Sequence, residues 1–254
     1  MDPVTPLFIF GMGRSGTTNA LRVANAHPSV MMNGEIPLPV LKQFFATLDA
    51  ADRAHSDTRE GWLARKPDYM FESFGYLSKG GRGRLHRRAT ATHMGHKTPR
   101  LESLFDEYEA HFASVGLVPR YIYCARNPFD CWRSYKAMSW NRYGAVTEFL
   151  AHYMASFERL QYVSERAGAR MLVLNLDELI ATDDKIAFYR DRFFAPLGLD
   201  MPERTVHRIE SISATKSGPR PAELGAEERS AIESYPGIAA LNAEMFAPFR
   251  PSLR

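Results

Sequence analysis

The segment Gly11-Met12-Gly13-Arg14-Ser15-Gly16-Thr17-Thr18 packs three glycines, three hydroxyls and one fixed cation into eight residues. Glycines let a backbone close around an anion. A helix starting just after them offers unpaired N–H groups and partial positive charge. Ser15, Thr17 and Thr18 add hydroxyl donors, and Arg14 adds a charge that stays on at any physiological pH. The pattern reads as a phosphate or sulfate site. Two carriers stay open on this motif alone. Gly11, Gly13 and Gly16 satisfy Gly-x-Gly-x-x-Gly, with Glu35 about where a ribose-binding acid belongs, so an NAD(P)-dependent oxidoreductase is one alternative. The segment also approaches a Walker P-loop, but Thr17 stands where that loop needs lysine. Ordinary ATP or GTP hydrolysis is disfavoured, because charge on the β- and γ-phosphates would go uncompensated.

A second cluster follows at Arg126-Asn127-Pro128-Phe129-Asp130-Cys131-Trp132-Arg133-Ser134. Arg126 ends an apolar, β-prone run, and Ser134 lies two turns into the helix beyond. An arginine fork with a hydroxyl suits a second phosphate. A dinucleotide fold does not call for this; a nucleotide with two separate phosphate clusters does.

Together these segments resemble the sulfotransferases that use PAPS, 3′-phosphoadenosine-5′-phosphosulfate. Arg14-Ser15-Gly16-Thr17-Thr18 is similar to the family's Arg/Lys-Ser-Gly-Thr-Thr loop for the 5′-phosphosulfate. The stretch from Arg126 to Ser134 is similar to its Arg-(Asp/Asn)-Pro-x-Asp-x-x-x-Ser pattern for the 3′-phosphate. The resemblance spans roughly residues 6 to 245. It implies PAPS as co-substrate, PAP as product, no metal, and Gly13, Arg14, Ser15, Gly16, Thr17, Thr18, Arg126 and Ser134 as nucleotide contacts. Ser213–Pro219 resembles the family's Arg-Lys-Gly loop over the 3′-phosphate, through Lys216 and Gly218. A non-catalytic nucleotide-binding protein is a further alternative.

Sulfuryl transfer needs an aligned acceptor, stabilisation of charge on the leaving phosphate, and a base for the acceptor proton. Glu35 is the first candidate base. It follows an expected second strand, and its His27-Pro28…Glu35 segment is similar to one in rhizobial nodulation-factor and tyrosylprotein sulfotransferases, where a glutamate after a His-Pro segment is the base. His96 is the second candidate, as base or proton shuttle. It precedes Lys97-Thr98, whereas cytosolic sulfotransferases place histidine after lysine-threonine. The segment looks more like the Lys-Thr-Pro element of heparan-type sulfotransferases, which points to Lys97 near acceptor or sulfuryl oxygens. Arg14 takes an electrostatic role only, since arginine does not give up its proton. His93-x-x-His96 has a metal-like spacing, but no cysteine or carboxylate nearby completes a set. The acceptor is expected to offer a hydroxyl, with an amine as second choice, on a carbohydrate or other small polar and even anionic molecule.

The elements that must position these residues follow from hydropathy. Apolar strands are expected at Leu7–Phe10, Thr92–His96, Arg120–Ala125 and Arg170–Asn175, and helices at Thr17–Ala26, Leu38–Ala50, Thr58–Leu77, Leu101–Ser114 and Val146–Ala167. Asn127 is the natural N-cap of another helix, with Pro128 at N1 and Asp130 complementing the dipole. The tail from Asp184 reads as helical, broken by a loop at Ser213–Pro221. Strands alternating with helices imply an α/β fold, three-layered, with a mainly parallel central sheet and a P-loop-like turn. One domain, 1–254, is expected.

The chain has 254 residues, 45% apolar and 24% charged, which excludes collagen-like, coiled-coil and disordered classes. Its two cysteines imply no disulfide framework. The +3 net charge argues against a nucleic-acid partner. It also hides a contrast: residues 79–100 hold seven basic residues and no acid, so the remainder is net acidic. This run reads as a solvated loop, a segment that attracts an anionic acceptor, or, around 79–92, a lid over the nucleotide. No leader and no membrane anchor is recognised, and a cytoplasmic location is expected.

Overall fold

The computed structural model describes residues 4–78, 88–214 and 221–246. Strand β1 (Thr5–Phe10) leads through the glycine turn into α1 (Thr17–Ala26), followed by β2 (Val30–Asn33), α2 (Leu38–Ala54) and α3 (Arg59–Leu77). Next come β3 (His93–Lys97), a 3-10 turn at Leu101–Leu104, α4 (Phe105–Ala113), β4 (Arg120–Ala125), α5 (Pro128–Lys136) and α6 (Val146–Ala167). Then β5 (Met171–Asn175) and α7 (Leu176–Ala181) are followed by α8 (Lys185–Tyr189), α9 (Glu203–Ala214) and α10 (Ala226–Ser234). The strands form one sheet in the order β2-β3-β1-β4-β5, and every pairing is parallel.

Strand alternation builds two different cores. Phe8, Phe10, Tyr121 and Tyr123 face one side, where α2, α3, α4 and α6 cover them with further aromatics. Leu7, Ile9, Ile122 and Cys124 face the other, against α1, α8 and α9. The result is the expected three-layer α/β arrangement. It also removes the dinucleotide alternative: that fold sets its second strand beside the first, which carries the ribose-binding acid to the glycine turn. Here β3 intervenes between β1 and β2.

Strand β3 ends one residue later than expected, and Lys97 closes it. Beyond Pro99, Arg100 adopts a left-handed backbone (φ 63°), so the helix expected from Leu101 starts as a 3-10 turn. Most of the expected basic loop, residues 79–87, lies outside the described residues, as do Lys216 and Gly218. From the same basic run, Arg88 is held by Asp68 and Glu72 of α3. Among the described residues no helix is long and apolar enough to cross a membrane.

One buried acid underlies the sheet. Glu102 accepts from Ser156 of α6, whose hydroxyl also meets Tyr123 at 2.9 Å. Burial pushes its carboxyl up from 4.5 to about 7. Stability from this group is therefore fully present below the unfolded value and is lost as pH rises through the folded one. A gap of this size is worth roughly 3 kcal/mol at most. Glu102→Gln is expected to raise the melting temperature at pH 8 and to leave it unraised at pH 4.5, read by thermal melts across that range. A variant equally stabilised at both ends would contradict the assignment.

Candidate active site

Ligands in open parallel sheets bind at the carboxyl ends of the strands, where neighbouring connections diverge. The strand order β2-β3-β1-β4 sets four functional segments in a row along that edge: Glu35 after β2, Lys97 closing β3, the glycine turn after β1, and Arg126 after β4.

The glycine turn is shaped by close contacts. A Cβ on Gly11 (φ 129°) would lie 2.4 Å from the Cys124 carbonyl oxygen, and one on Gly13 would lie 1.9 Å from the Tyr135 hydroxyl. Gly16 caps α1 in a left-handed conformation (φ 99°), with no side-chain cap and no acid in the first turn. The first-turn amides of α1 therefore keep their unpaired character and their positive field. Ser15 donates to the Met12 carbonyl at 2.6 Å, so its hydroxyl braces the turn and does not face the cleft. Thr17 and Thr18 line the cleft with Arg14.

Two motifs 120 residues apart meet directly: Arg14 Nε donates to Ser134 Oγ at 2.9 Å. Arg126 Nη1 donates to the Arg14 carbonyl at 3.3 Å, and Arg126 Nε is buried with no hydrogen-bond partner. Asp130 turns to Arg133, not to Arg126. The strand-to-helix junction that carries Arg126 is rigid. Asn127 caps α5 by accepting from the Asp130 amide. Asp177 accepts from the Asn127 backbone and side chain at 2.7 and 2.6 Å. Tyr153 donates to the Arg126 carbonyl at 2.7 Å. An arginine with an orphaned buried N–H, bonded to the backbone of the glycine turn, leaves a donor that suits a phosphate.

At the other end of the row, Lys97 donates to Glu35 Oε2 at 3.0 Å. Lys97 is almost enclosed, while the Glu35 carboxylate opens onto a cleft of about 540 Å³ that also holds Arg14, Tyr135 and Trp140.

A sequence model of the sulfotransferase family matches residues 6–185. The chain belongs to the sulfotransferase family. Its fold is similar to that of the sulfotransferase domain of the olefin synthase from Synechococcus PCC 7002, at 16% identity over 96% of each chain and a TM-score of 0.50. It is also similar to a sulfotransferase from Mycobacterium avium, at 15% identity over 97% of this chain and 78% of that one, with a TM-score of 0.55. A comparison with curated proteins returned no match.

His96 is not brought to the cleft of this sulfotransferase, which corrects its expected part in proton transfer. It is fully buried among Phe8, Phe74 and Tyr108, on the opposite side of β3 from Lys97. Burial, then the Lys97 charge, pushes its pKa down to about 3. Its Nε2 meets the Tyr108 hydroxyl at 2.6 Å and its Nδ1 meets Thr98 Oγ1 at 3.1 Å. Thr98 in turn donates to the Ile36 carbonyl and accepts from the Ile36 amide. A neutral imidazole protonated on Nδ1 satisfies every group in this chain. His96 thus anchors the loop that carries Glu35. His93 and His96 sit three apart on a strand and so face opposite ways, which is no chelating pair.

Among the described residues Asp49, Asp52 and His111 come close enough to hold a metal, but Lys66 already places its ammonium 2.7 and 3.1 Å from the two Asp52 oxygens. Sequence motifs missed Tyr135, Trp140, Arg100 and Arg142, all of which line the cleft. Tyr135 carried a signal as the neighbour of Ser134 on α5, and Arg100 as the last charge of the basic run 79–100.

Proposed function

We propose that this sulfotransferase takes its sulfuryl group from PAPS and passes it to a hydroxyl of a small polar acceptor. The observation that carries the reading is the row along the sheet edge. A carboxylate paired with lysine stands at one end, the glycine turn and Arg14 occupy the middle, and Arg126 with its orphaned N–H stands at the other. Two anion-binding points on one sheet edge suit a nucleotide with phosphates on both its 3′ and 5′ positions.

When bound, PAPS supplies an activated sulfuryl group, whose S–O bond to the 5′-phosphate breaks as the acceptor oxygen bonds to sulfur. The residues have divided roles. Arg126, with Arg14 and Ser134 beside it, holds the 3′-phosphate end. The α1 amides with Thr17 and Thr18 hold the 5′ end, and Arg14 and Lys97 offset charge moving onto the leaving phosphate. Glu35 takes the acceptor proton on the oxygen that Lys97 does not occupy.

Thermal shift tests the donor. PAP is expected to stabilise the protein well above ATP, ADP or NAD at equal concentration. Equal stabilisation by all four would reject the two-phosphate reading.

A further inference from the structure

The cleft is more cationic than the donor requires. Arg14, Lys97, Arg100 and Arg142 line it, against one carboxylate, Glu35. Lys97 is matched by Glu35, and Arg14 is turned toward Ser134 and the nucleotide side. Arg100 and Arg142 are left over. Among the described residues neither forms an ion pair.

Both are nevertheless held in place. Arg14 and Arg100 are the two non-glycine residues with positive φ among those described, and both line this cleft. Strained backbone persists where surrounding bonds over-determine it. The Arg100 amide donates to the Gly11 carbonyl at 3.0 Å, and the Arg100 carbonyl accepts from both the amide and the hydroxyl of Ser103. Arg142 lies 5.1 Å over the Tyr143 ring and donates to its hydroxyl at 3.0 Å. Tyr143 is itself buried against Tyr135 and Phe149. Both residues, one from the chain after β3 and the other from the chain after α5, line the same cleft. Beside them the Trp140 ring is 57% exposed at the mouth of the cleft.

We infer that Arg100 and Arg142 bind an anionic group on the acceptor, with its apolar or ring face on Trp140, so that this enzyme sulfates hydroxyl compounds that already carry a carboxylate or similar acid. The inference rests on the sulfotransfer reading of the same cleft. Arginine fits the task because its fork binds a carboxylate through two parallel N–H bonds.

Binding to the PAP-loaded protein tests this with matched pairs: 4-hydroxybenzoate against 4-hydroxybenzamide, glucuronate against glucuronamide, and 3-hydroxydecanoate against its amide. The acid of at least one pair is expected to bind about tenfold or more tighter than its amide. In Arg100→Gln/Arg142→Gln that preference is expected to vanish while PAP affinity holds. Arg142→Gln alone, at an exposed side chain, serves if the double variant fails to fold, with a smaller loss in the same direction. No acid preference in any pair, or a preference that survives the substitutions, overturns the inference. Failure of PAP to bind overturns the donor reading instead. The same pairs, compared on the free protein, then decide the acceptor question with the same outcomes.

Discussion

Glu35→Gln is expected to lower turnover by about 10²–10⁴-fold, the usual worth of a positioned general base. The amide keeps the shape of the side chain and loses only the ability to take a proton. Glu35 sits at the far end of the row from Arg126, with Lys97 and the glycine turn between them, so PAP affinity is expected to hold. The split between a collapsed kcat and an intact PAP affinity is the signature of a base rather than a nucleotide ligand. Lys97 loses its ionised partner, and a small drop in melting temperature is expected with it. Kinetics are therefore best run well below that midpoint. Turnover retained in the glutamine variant would remove Glu35 as base and shift attention to Lys97. His96 is no alternative, since its ring is sealed in the aromatic core.

Arg126→Ala is expected to weaken PAP by roughly 10–150-fold, the worth of one charge-assisted hydrogen bond. AMP, which lacks the 3′-phosphate, is expected to bind the variant and the parent alike. The contrast matters more than the size of either loss. The Arg126 backbone is pinned by Tyr153 and by the Asn127–Asp177 bonds, which truncation leaves in place; the one recorded bond it removes runs from Nη1 to the Arg14 carbonyl. The orphaned Nε makes the side chain costly to keep in the free protein. Isothermal titration with both nucleotides is the measurement. An equal loss for PAP and AMP would move the 3′-phosphate away from Arg126.

Local signals read well where they are strong. Helices α1 and α6 and strand β4 begin and end as their residues predict, because apolar periodicity and clean stops bound them. Asn127, Pro128 and Asp130 take up the capping positions that their chemistry favours, and the cap bond forms. Both anion motifs fall at strand ends for the same reason. His96 shows where this reading fails. A strand boundary one residue off matters little to length, but which face a residue takes depends on who packs there. Phe8, Phe74 and Tyr108 come from three other elements, and no window around His96 contains them. Arg100 was legible only as one charge of the basic run 79–100, and Arg142 belongs to no motif; they share a cleft only because the chain after β3 and the chain after α5 pass the same sheet edge.

The chemistry available is legible in the residues alone: two arginine-centred anion motifs, a candidate carboxylate, and apolar strands alternating with helices that call for a covered, parallel sheet. The tertiary structure decided the order in which those parts stand. Parallel pairing is made by backbone groups that every residue shares, so β3 lying between β1 and β2 is written in no local pattern. It follows from packing the aromatic face against α2, α3 and α4 and the aliphatic face against α1 and α9 at once. That order lines up Glu35, Lys97, Arg14 and Arg126, sends His96 inward, and brings Arg100 and Arg142 to the same cleft.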